Sequence, residues 1–261
     1  MQGEAPIVAG RRAAGKLRRA LTFGFLLSCA APYAAGAQQV SSSLRFRISA
    51  WPDAAVLGSS LTAALVPVVW SGSFAHATCA PCDPSTVWGL DRGSIGPLRP
   101  VAATVSDGTL FAEAALGAVF LARARRGEGT GAFLEDATVI AEAMTVTQAV
   151  TGWTKVLFHR PRPYLYVPGA AASGADDGRS MPSEHAAVAF AAAAAYASIL
   201  HRRGLAQSHT GQIVVLFSAA AVTGALRVAA HKHFPTDVLA GAALGFAVGW
   251  TLPALHATRP Q

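Results

Sequence analysis

Three short clusters of charged and hydroxyl residues, at 155–163, 182–185 and 227–237, interrupt an otherwise apolar part of the sequence. No other group in the sequence is an evident counterion for their lysine and arginine side chains, so an anion from outside would neutralise them. Phosphate is the obvious candidate, because arginine holds its oxygens through two parallel hydrogen bonds and lysine binds it as a point charge. The side chains that could do chemistry are Lys155, Arg162, Ser183, His185, Arg227, His233 and Asp237.

His233 and Asp237 lie four residues apart, with Pro235 between them. Proline is common in the first turn of a helix, and residues at this spacing can share one helix face. A carboxylate that bonds to one imidazole nitrogen fixes the tautomer and leaves the other nitrogen as a nucleophile. The pair therefore predicts an imidazole whose tautomer is fixed by Asp237; the plainer alternative is a capping aspartate beside an ordinary histidine.

Residues 182–185 precede an uncharged, alanine-rich segment and indicate the start of a helix. Ser183 is a good N-cap residue, and Glu184 would lie in the first turn, where the helix dipole favours acids. The free backbone N–H groups of a helix start form an anion site without any special side chain. This segment predicts a second part of the same oxyanion site, with a simple capped helix as the alternative.

At these residues the sequence resembles the type 2 phosphatidic acid phosphatases, a family whose fold and site are shared with vanadium haloperoxidases. The family pattern is Lys, six residues, Arg-Pro; then Pro-Ser-Gly-His; then Ser-Arg, five residues, His, three residues, Asp. All three parts occur here in order and with the right internal spacing. Two positions depart from the pattern: Glu184 replaces the usual Gly, and Leu226 replaces the usual Ser.

The resemblance implies a role for each residue of the clusters. His233 would form a phosphohistidine, and His185 would protonate the leaving oxygen and then activate water. Asp237 would orient His233. The phosphate-binding groups would be Lys155, Arg162, Ser183, Glu184 through its backbone N–H, and Arg227. No cofactor is expected, and the sequence has no evident metal-ligand cluster, dinucleotide fingerprint or Walker loop.

The composition is typical of a membrane protein. Charged residues make up 13% and hydrophobic residues 52% of the 261 residues, whereas soluble domains have about 25% charged residues. The net charge of +7 arises partly from a basic N-terminal segment, and no basic surface with interleaved aromatic residues points to nucleic acid. We expect a membrane partner and no nucleic-acid partner, with a soluble globular bundle as the alternative. The sequence does not predict the oligomeric state.

Apolar segments of helical length predict an all-α fold, a membrane-embedded bundle of about five or six helices. No segment alternates with period two, so strands are not expected. The predicted helices are 110–122, 133–154, 186–200, 213–226 and 238–255, with 54–70 as a shorter candidate.

Two basic clusters, at 123–126 and 202–203, would face the cytoplasm under the positive-inside rule. The five clearer helices then place all three phosphate-binding clusters on the exterior face. Both ends of 54–70 would also be exterior, which predicts a surface or half-inserted helix unless the N-terminal side stays inside.

Residues 1–37 are predicted to be a signal peptide or an N-terminal anchor, because a basic stretch at 11–19 precedes an apolar run at 20–35 and the small residues Ala35 and Ala37. A lipoprotein modified at Cys29 is a further alternative. Residues 38–105 are predicted to be an exported linker, a short helix and a cysteine-containing loop, and residues 106–258 the helical phosphatase core. In the proline-rich loop, Cys79 and Cys82 favour a disulfide over free thiols or a zinc site.

The motifs predict hydrolysis of a phosphomonoester or diphosphate, on a lipid, at the periplasmic face of a bacterial-type inner membrane. The segment 164–181 would form an exterior loop over the site, as a lid or as a plain linker. The alternatives are a soluble periplasmic acid phosphatase for small substrates, a vanadate-dependent haloperoxidase, and a non-catalytic membrane protein with a relic site.

Overall fold

The computed structural model describes residues 46–70 and 76–258, so the predicted signal peptide lies outside the described residues. The described part contains six long helices, one short helix and one isolated β-bridge between Phe46 and Ala257. The prediction of an all-α fold is therefore confirmed. The helices are α1 (Ala50–Val69), α2 (Gly89–Arg92), α3 (Pro100–Ala124), α4 (Thr130–Phe158), α5 (Glu184–Arg202), α6 (Thr210–Ala229) and α7 (Pro235–His256).

Four helical segments are long and apolar enough to cross a membrane: α1, α3, Gln207–Ala229 and α7. At most 28% of the apolar window of each is buried. Large apolar side chains such as Leu65, Phe111 and Val214 point away from the bundle. Soluble proteins rarely expose apolar surface of this extent, whereas lipid covers it. The fold is therefore that of a membrane protein rather than of the soluble bundle considered as an alternative.

Helix α5 lies at the centre of the bundle and packs most extensively against α7. Three glycines of α7 at a spacing of four, Gly241, Gly245 and Gly249, face the backbone of α5. A Cβ atom at Gly245 would collide with the carbonyl oxygen of Ala187. Such a stripe of small residues lets two membrane helices approach closely, and it aligns the start of α7 with the start of α5.

The basic clusters lie together at one end of the bundle. Arg125, which follows α3, and Arg203, which follows α5, contact the carboxylate of Asp136 near the start of α4 at 3.1 and 2.6 Å. Because the long helices alternate in direction, the starts of α5 and α7 and the ends of α4 and α6 lie at the opposite end. The three phosphate-binding clusters are all at these helix ends.

Of the two alternatives predicted for α1, the structure excludes a surface or half-inserted helix and favours a helix whose N-terminal side lies with the basic clusters. Before its start, the Phe46 ring lies 4.7 Å from the Arg203 guanidinium at the basic end. Near its C-terminal end, the Pro67 carbonyl accepts a hydrogen bond of 3.0 Å from Arg179, in the loop that precedes α5. The helix therefore runs the length of the bundle. It is long enough because it begins at Ala50, before the predicted apolar segment, and has 20 residues. Its N-terminal side lies with the basic clusters.

The cysteine-containing loop is shorter than predicted, because α3 begins at Pro100, in a position where a helix needs no N–H donor. Cys79 and Cys82 are joined by a disulfide, as predicted. Cys82 packs with Leu165 and Phe234. This loop therefore supports the segments that carry the site residues.

Candidate phosphate-binding and catalytic site

His233 lies just before α7 and is 1% exposed. Its Nδ1 atom is 2.6 Å from the carbonyl oxygen of Ser180. A carbonyl oxygen can only accept, so Nδ1 carries the proton and Nε2 keeps a lone pair that can accept from Arg162. Arg162 places Nη1 3.2 Å from that Nε2 atom.

The charge state of His233 follows from its surroundings. Burial, and then the positive charges of Arg162, Lys155 and Arg227, hold the pKa of His233 well below its ordinary value. The imidazole is therefore neutral at neutral pH and can act as a nucleophile at Nε2. The charges of all three cations predicted to bind phosphate therefore act on this histidine.

Asp237 does not contact His233 as the spacing predicts. Its Oδ2 atom is 3.8 Å from His233 Nδ1, too far for a hydrogen bond. The rule for residues four apart requires both to be in the helix, but α7 begins at Pro235, after His233. Asp237 instead accepts hydrogen bonds from the Ser180 hydroxyl at 2.5 Å and the Phe234 N–H at 2.8 Å. It therefore holds the residue that orients His233.

Arg160 is a positioning residue that the sequence reasoning missed. Its guanidinium lies 2.5 Å from Asp237 Oδ1 and 2.8 Å from Asp91 Oδ2, and 4.2 Å above the Phe234 ring. Asp91 also accepts a hydrogen bond of 3.0 Å from the Thr236 N–H. Arg160 precedes a proline, as Arg162 does, but its spacing from Lys155 departs from the family pattern and Asp91 is distant in sequence.

The expectation that the cations lack counterions is wrong. Three carboxylates from separate parts of the chain pair with them. The ion pairs are Lys155 Nζ with Glu184 Oε2 at 3.0 Å, Arg162 Nη2 with Asp176 Oδ1 at 2.7 Å, and Arg227 Nη1 with Asp107 Oδ1 at 3.0 Å. The cations are nearly buried, whereas the carboxylates are 29%, 61% and 49% exposed in the same order. The carboxylates can therefore move into solvent when another anion takes their place.

Asp176, in the loop before α5, is one of these three carboxylates, and its pKa determines whether it is charged. Burial alone would raise the pKa of Asp176, but the Arg162 guanidinium lowers it below the ordinary value. Asp176 is therefore ionised at neutral pH and competes directly for the arginine predicted to bind phosphate.

His185 has a partner that the sequence did not indicate. Its Nε2 atom is 2.7 Å from Asp107 Oδ1, the same oxygen that contacts Arg227. Asp107 is near the start of α3, outside the three clusters. Burial, and then the positive charge of Arg227, lower the pKa of His185 to about 4, although the Asp107 carboxylate favours the protonated form. His185 is therefore neutral in the free protein at neutral pH.

Ser183 precedes α5, as predicted, and is fully buried. Its hydroxyl has no hydrogen-bond partner within the described residues. The first N–H groups of α5 lie beside it and have no acceptor within the helix. The carboxylate of Glu184 pairs with Lys155, so the backbone N–H is the group through which Glu184 remains predicted to bind phosphate.

The loop at 164–181 forms part of a cleft next to Lys155. Asp177 folds this loop by accepting hydrogen bonds from the Tyr164 hydroxyl and the Ser173 and Gly174 N–H groups. The cleft has a volume of about 420 Å³ and is lined by Val68, Lys155, Gly174, Ala175, Asp176, Arg179 and Glu184. The loop is thus one wall of the cleft. It also contributes Asp176, which pairs with Arg162, and Ser180, which contacts His233.

The match to a known family covers the part of the chain that holds these clusters. Residues 136–261 match the model of the PAP2 superfamily. The resemblance given by the three clusters is confirmed.

No curated protein matches the chain. Among solved structures, the chain is similar to a transmembrane PAP2-type phosphatidylglycerolphosphate phosphatase from Bacillus subtilis, with 19% identity, a TM-score of 0.44, and coverage of 78% of this chain and 96% of that one.

Proposed function

We propose that the protein is a phosphatase that hydrolyses a phosphomonoester or diphosphate of a membrane lipid. The observation that carries the proposal is the convergence of Lys155, Arg162 and Arg227 on a buried, neutral His233 whose Nε2 is unprotonated. Such a site combines a nucleophile with groups that stabilise the charge of a phosphoryl transition state. The family match is consistent with this chemistry.

The reaction has two steps. First, a proton brought by the monoanionic substrate phosphate passes to His185. His233 Nε2 then attacks phosphorus, a P–N bond forms, and the P–O bond to the leaving group breaks while His185 gives that oxygen the proton. Second, His185 takes a proton from water, the resulting oxygen attacks phosphorus, and the P–N bond breaks to release phosphate and neutral His233. The Ser180 carbonyl, 2.6 Å from Nδ1, stabilises the positive imidazole that forms in between.

Substrate binding exchanges one set of anions for another. The phosphoryl oxygens take the positions at Lys155, Arg162 and Arg227 that Glu184, Asp176 and Asp107 occupy in the free protein. The unpartnered Ser183 hydroxyl adds a neutral donor that needs no such exchange.

A lipid substrate at the exterior face is supported by the surroundings of the site. Four helical segments are long and apolar enough to span a membrane. The site lies at one end of this bundle and so at the level of the lipid headgroups. The opposite end holds Arg125 and Arg203, and basic clusters favour the cytoplasmic side.

The proposal is tested by phosphate release from a panel of lipid phosphates and diphosphates in detergent micelles. We expect release by the wild type, loss in His233→Ala and His185→Ala, and wild-type rates in His209→Ala, a histidine remote from the cleft. An acid-labile phosphoryl group bound to the wild-type protein, and absent from His233→Ala, would identify the phosphohistidine intermediate.

Equal release by the wild type and His233→Ala would contradict the proposal. Release confined to water-soluble esters would favour the acid phosphatase alternative, and halide oxidation with added vanadate the haloperoxidase.

A further inference from the structure

A second cluster of ionisable side chains lies away from the phosphate site, towards the basic end of the bundle. Asp53 in the first turn of α1, Glu142 in α4 and His256 at the end of α7 each place one oxygen or nitrogen within 4.8 Å of the others. Imidazole nitrogens and carboxylate oxygens are the ligands that zinc and similar divalent ions take in proteins. The three residues are far apart in sequence, so no spacing pattern could predict the cluster.

The cluster is buried and incompletely hydrogen-bonded. Glu142 is 0% and Asp53 6% exposed. Glu142 Oε2 lies 2.7 Å from His256 Nε2, and Asp53 Oδ1 lies 3.8 Å from His256 Nδ1. No hydroxyl, amide or guanidinium group of the described residues donates to either Glu142 oxygen. A buried carboxylate without such donors requires an explanation.

The charge balance indicates what is missing. Within the described part of the chain, the ion-pair partner of both Asp53 and Glu142 is His256. One protonated histidine cannot balance two ionised carboxylates, and an uncompensated buried charge is strongly unfavourable. A divalent cation bound to neutral His256 would balance both carboxylates at once.

We propose that Asp53, Glu142 and His256 bind a divalent transition-metal ion such as Zn²⁺ or Mn²⁺. Bonds of about 2.0 Å bring ligand atoms to roughly 3.3 Å from one another, a distance that small side-chain rotations can reach here. Asp53 Oδ1 is available, because Oδ2 accepts the Ser49 N–H. The ion links α1, α4 and α7 and so stabilises the bundle, without contact with the transferred phosphoryl group.

The test uses the full chain, purified in detergent and analysed for bound metal by mass spectrometry. We expect one equivalent of a transition metal, and a fall in Tm of several degrees after chelation that added Zn²⁺ or Mn²⁺ reverses. Glu142→Gln and His256→Gln should lose the metal and the response to chelator. Glu128→Gln, which removes an exposed carboxylate, should keep both.

Two results would overturn the proposal. One is a wild-type protein that carries no metal and whose Tm responds neither to chelator nor to added ions. The other is metal retained equally by the wild type and His256→Gln. Should Glu142→Gln fail to fold, metal content and Tm of the wild type and of His256→Gln still decide between these outcomes.

Discussion

The ammonium group of Lys155 lies 3.0 Å from Oε2 of Glu184, a residue that occupies the position of the usual family glycine. Glu184 also accepts a hydrogen bond of 3.3 Å from Gln148. Because Lys155 is one of three cations around His233, this carboxylate stands where a phosphoryl oxygen would bind. Under the proposed function, the departure from the family pattern adds a carboxylate that competes with the substrate phosphate for Lys155.

Replacing Glu184 by Gln is expected to strengthen phosphate binding. A partly exposed ion pair contributes about 1 kcal/mol or less, which corresponds to a change in affinity of up to about fivefold. We expect the inhibition constant of orthophosphate to fall by up to that factor, measured by competition in the lipid phosphatase assay.

Glu128→Gln is the matched control, since it removes an exposed carboxylate at the other end of the bundle. An unchanged inhibition constant in Glu184→Gln, with the fold intact, would mean that Glu184 does not compete with phosphate.

Replacing Arg160 should mainly lower stability, whereas replacing Arg162 should mainly lower activity. Arg160→Gln leaves the buried carboxylates of Asp91 and Asp237 without their cation, which costs about 3–5 kcal/mol of stability. Arg162→Gln leaves Asp176, which is 61% exposed and stays hydrated. Its cost is catalytic, about 10²–10³ in kcat, as for the loss of one donor to a transition-state oxyanion.

Thermal unfolding in detergent and phosphate release, measured on the same two variants, separate these effects. A stable Arg160→Gln beside an unfolded Arg162→Gln would reverse the roles assigned to the two residues.

The sequence predicted the groups that lie at helix ends, because each cluster keeps its order and spacing along one short segment. Lys155, Ser183, His185, Arg227 and His233 are such residues. The sequence did not predict the carboxylates that face them. Asp107 comes from α3 and Asp176 from a loop folded around Asp177, so only tertiary packing brings them to the site.

Two predictions were wrong for local reasons: that α1 is a surface or half-inserted helix, and that Asp237 bonds to His233. The apolar run at 54–70 seemed too short because the helix also includes the polar residues at its start, such as Asp53. The bond from Ser180 to His233 runs through a backbone carbonyl, for which side-chain patterns carry no signal. The glycine stripe of α7, in contrast, is visible in the sequence at a spacing of four.

Adding one methyl group at Gly245 should destabilise the bundle. The new Cβ would overlap the Ala187 carbonyl oxygen, and relief requires α7 to move away from α5. Overpacking of this kind costs about 1–3 kcal/mol, which we expect as a lower Tm of Gly245→Ala. Gly58→Ala in α1 is the control, since no atom lies within 4 Å of its Cβ position. Equal Tm values for the two variants would argue against close packing at the stripe.

The two ends of α1 should be accessible from opposite sides of the membrane. Cysteines are introduced at Trp51, which is 88% exposed at the start of α1, and at Ala172 in the loop at the site end. In a chain with Cys29 replaced by Ser, a membrane-impermeant maleimide should label Ala172→Cys in intact cells, and Trp51→Cys only after permeabilisation. A cleaved signal peptide would put the start of α1 outside, so labelling of both in intact cells would support cleavage and contradict this direction.

The pH dependence of the reaction should reflect the lowered pKa of His233. Attack on phosphorus requires neutral imidazole, and neutral imidazole prevails at every pH above the pKa of the folded protein. Since burial and the charges of Arg162, Lys155 and Arg227 lower that pKa, activity should persist as the pH falls through about 6.5, the ordinary histidine value. The measurement is kcat/KM against pH, with folding checked at each point. In Lys155→Gln, which removes one of the three charges, the acid limb should move up towards the ordinary value. An acid limb at or above pH 6.5 in the wild type, unmoved in Lys155→Gln, would exclude His233 as the titrating nucleophile.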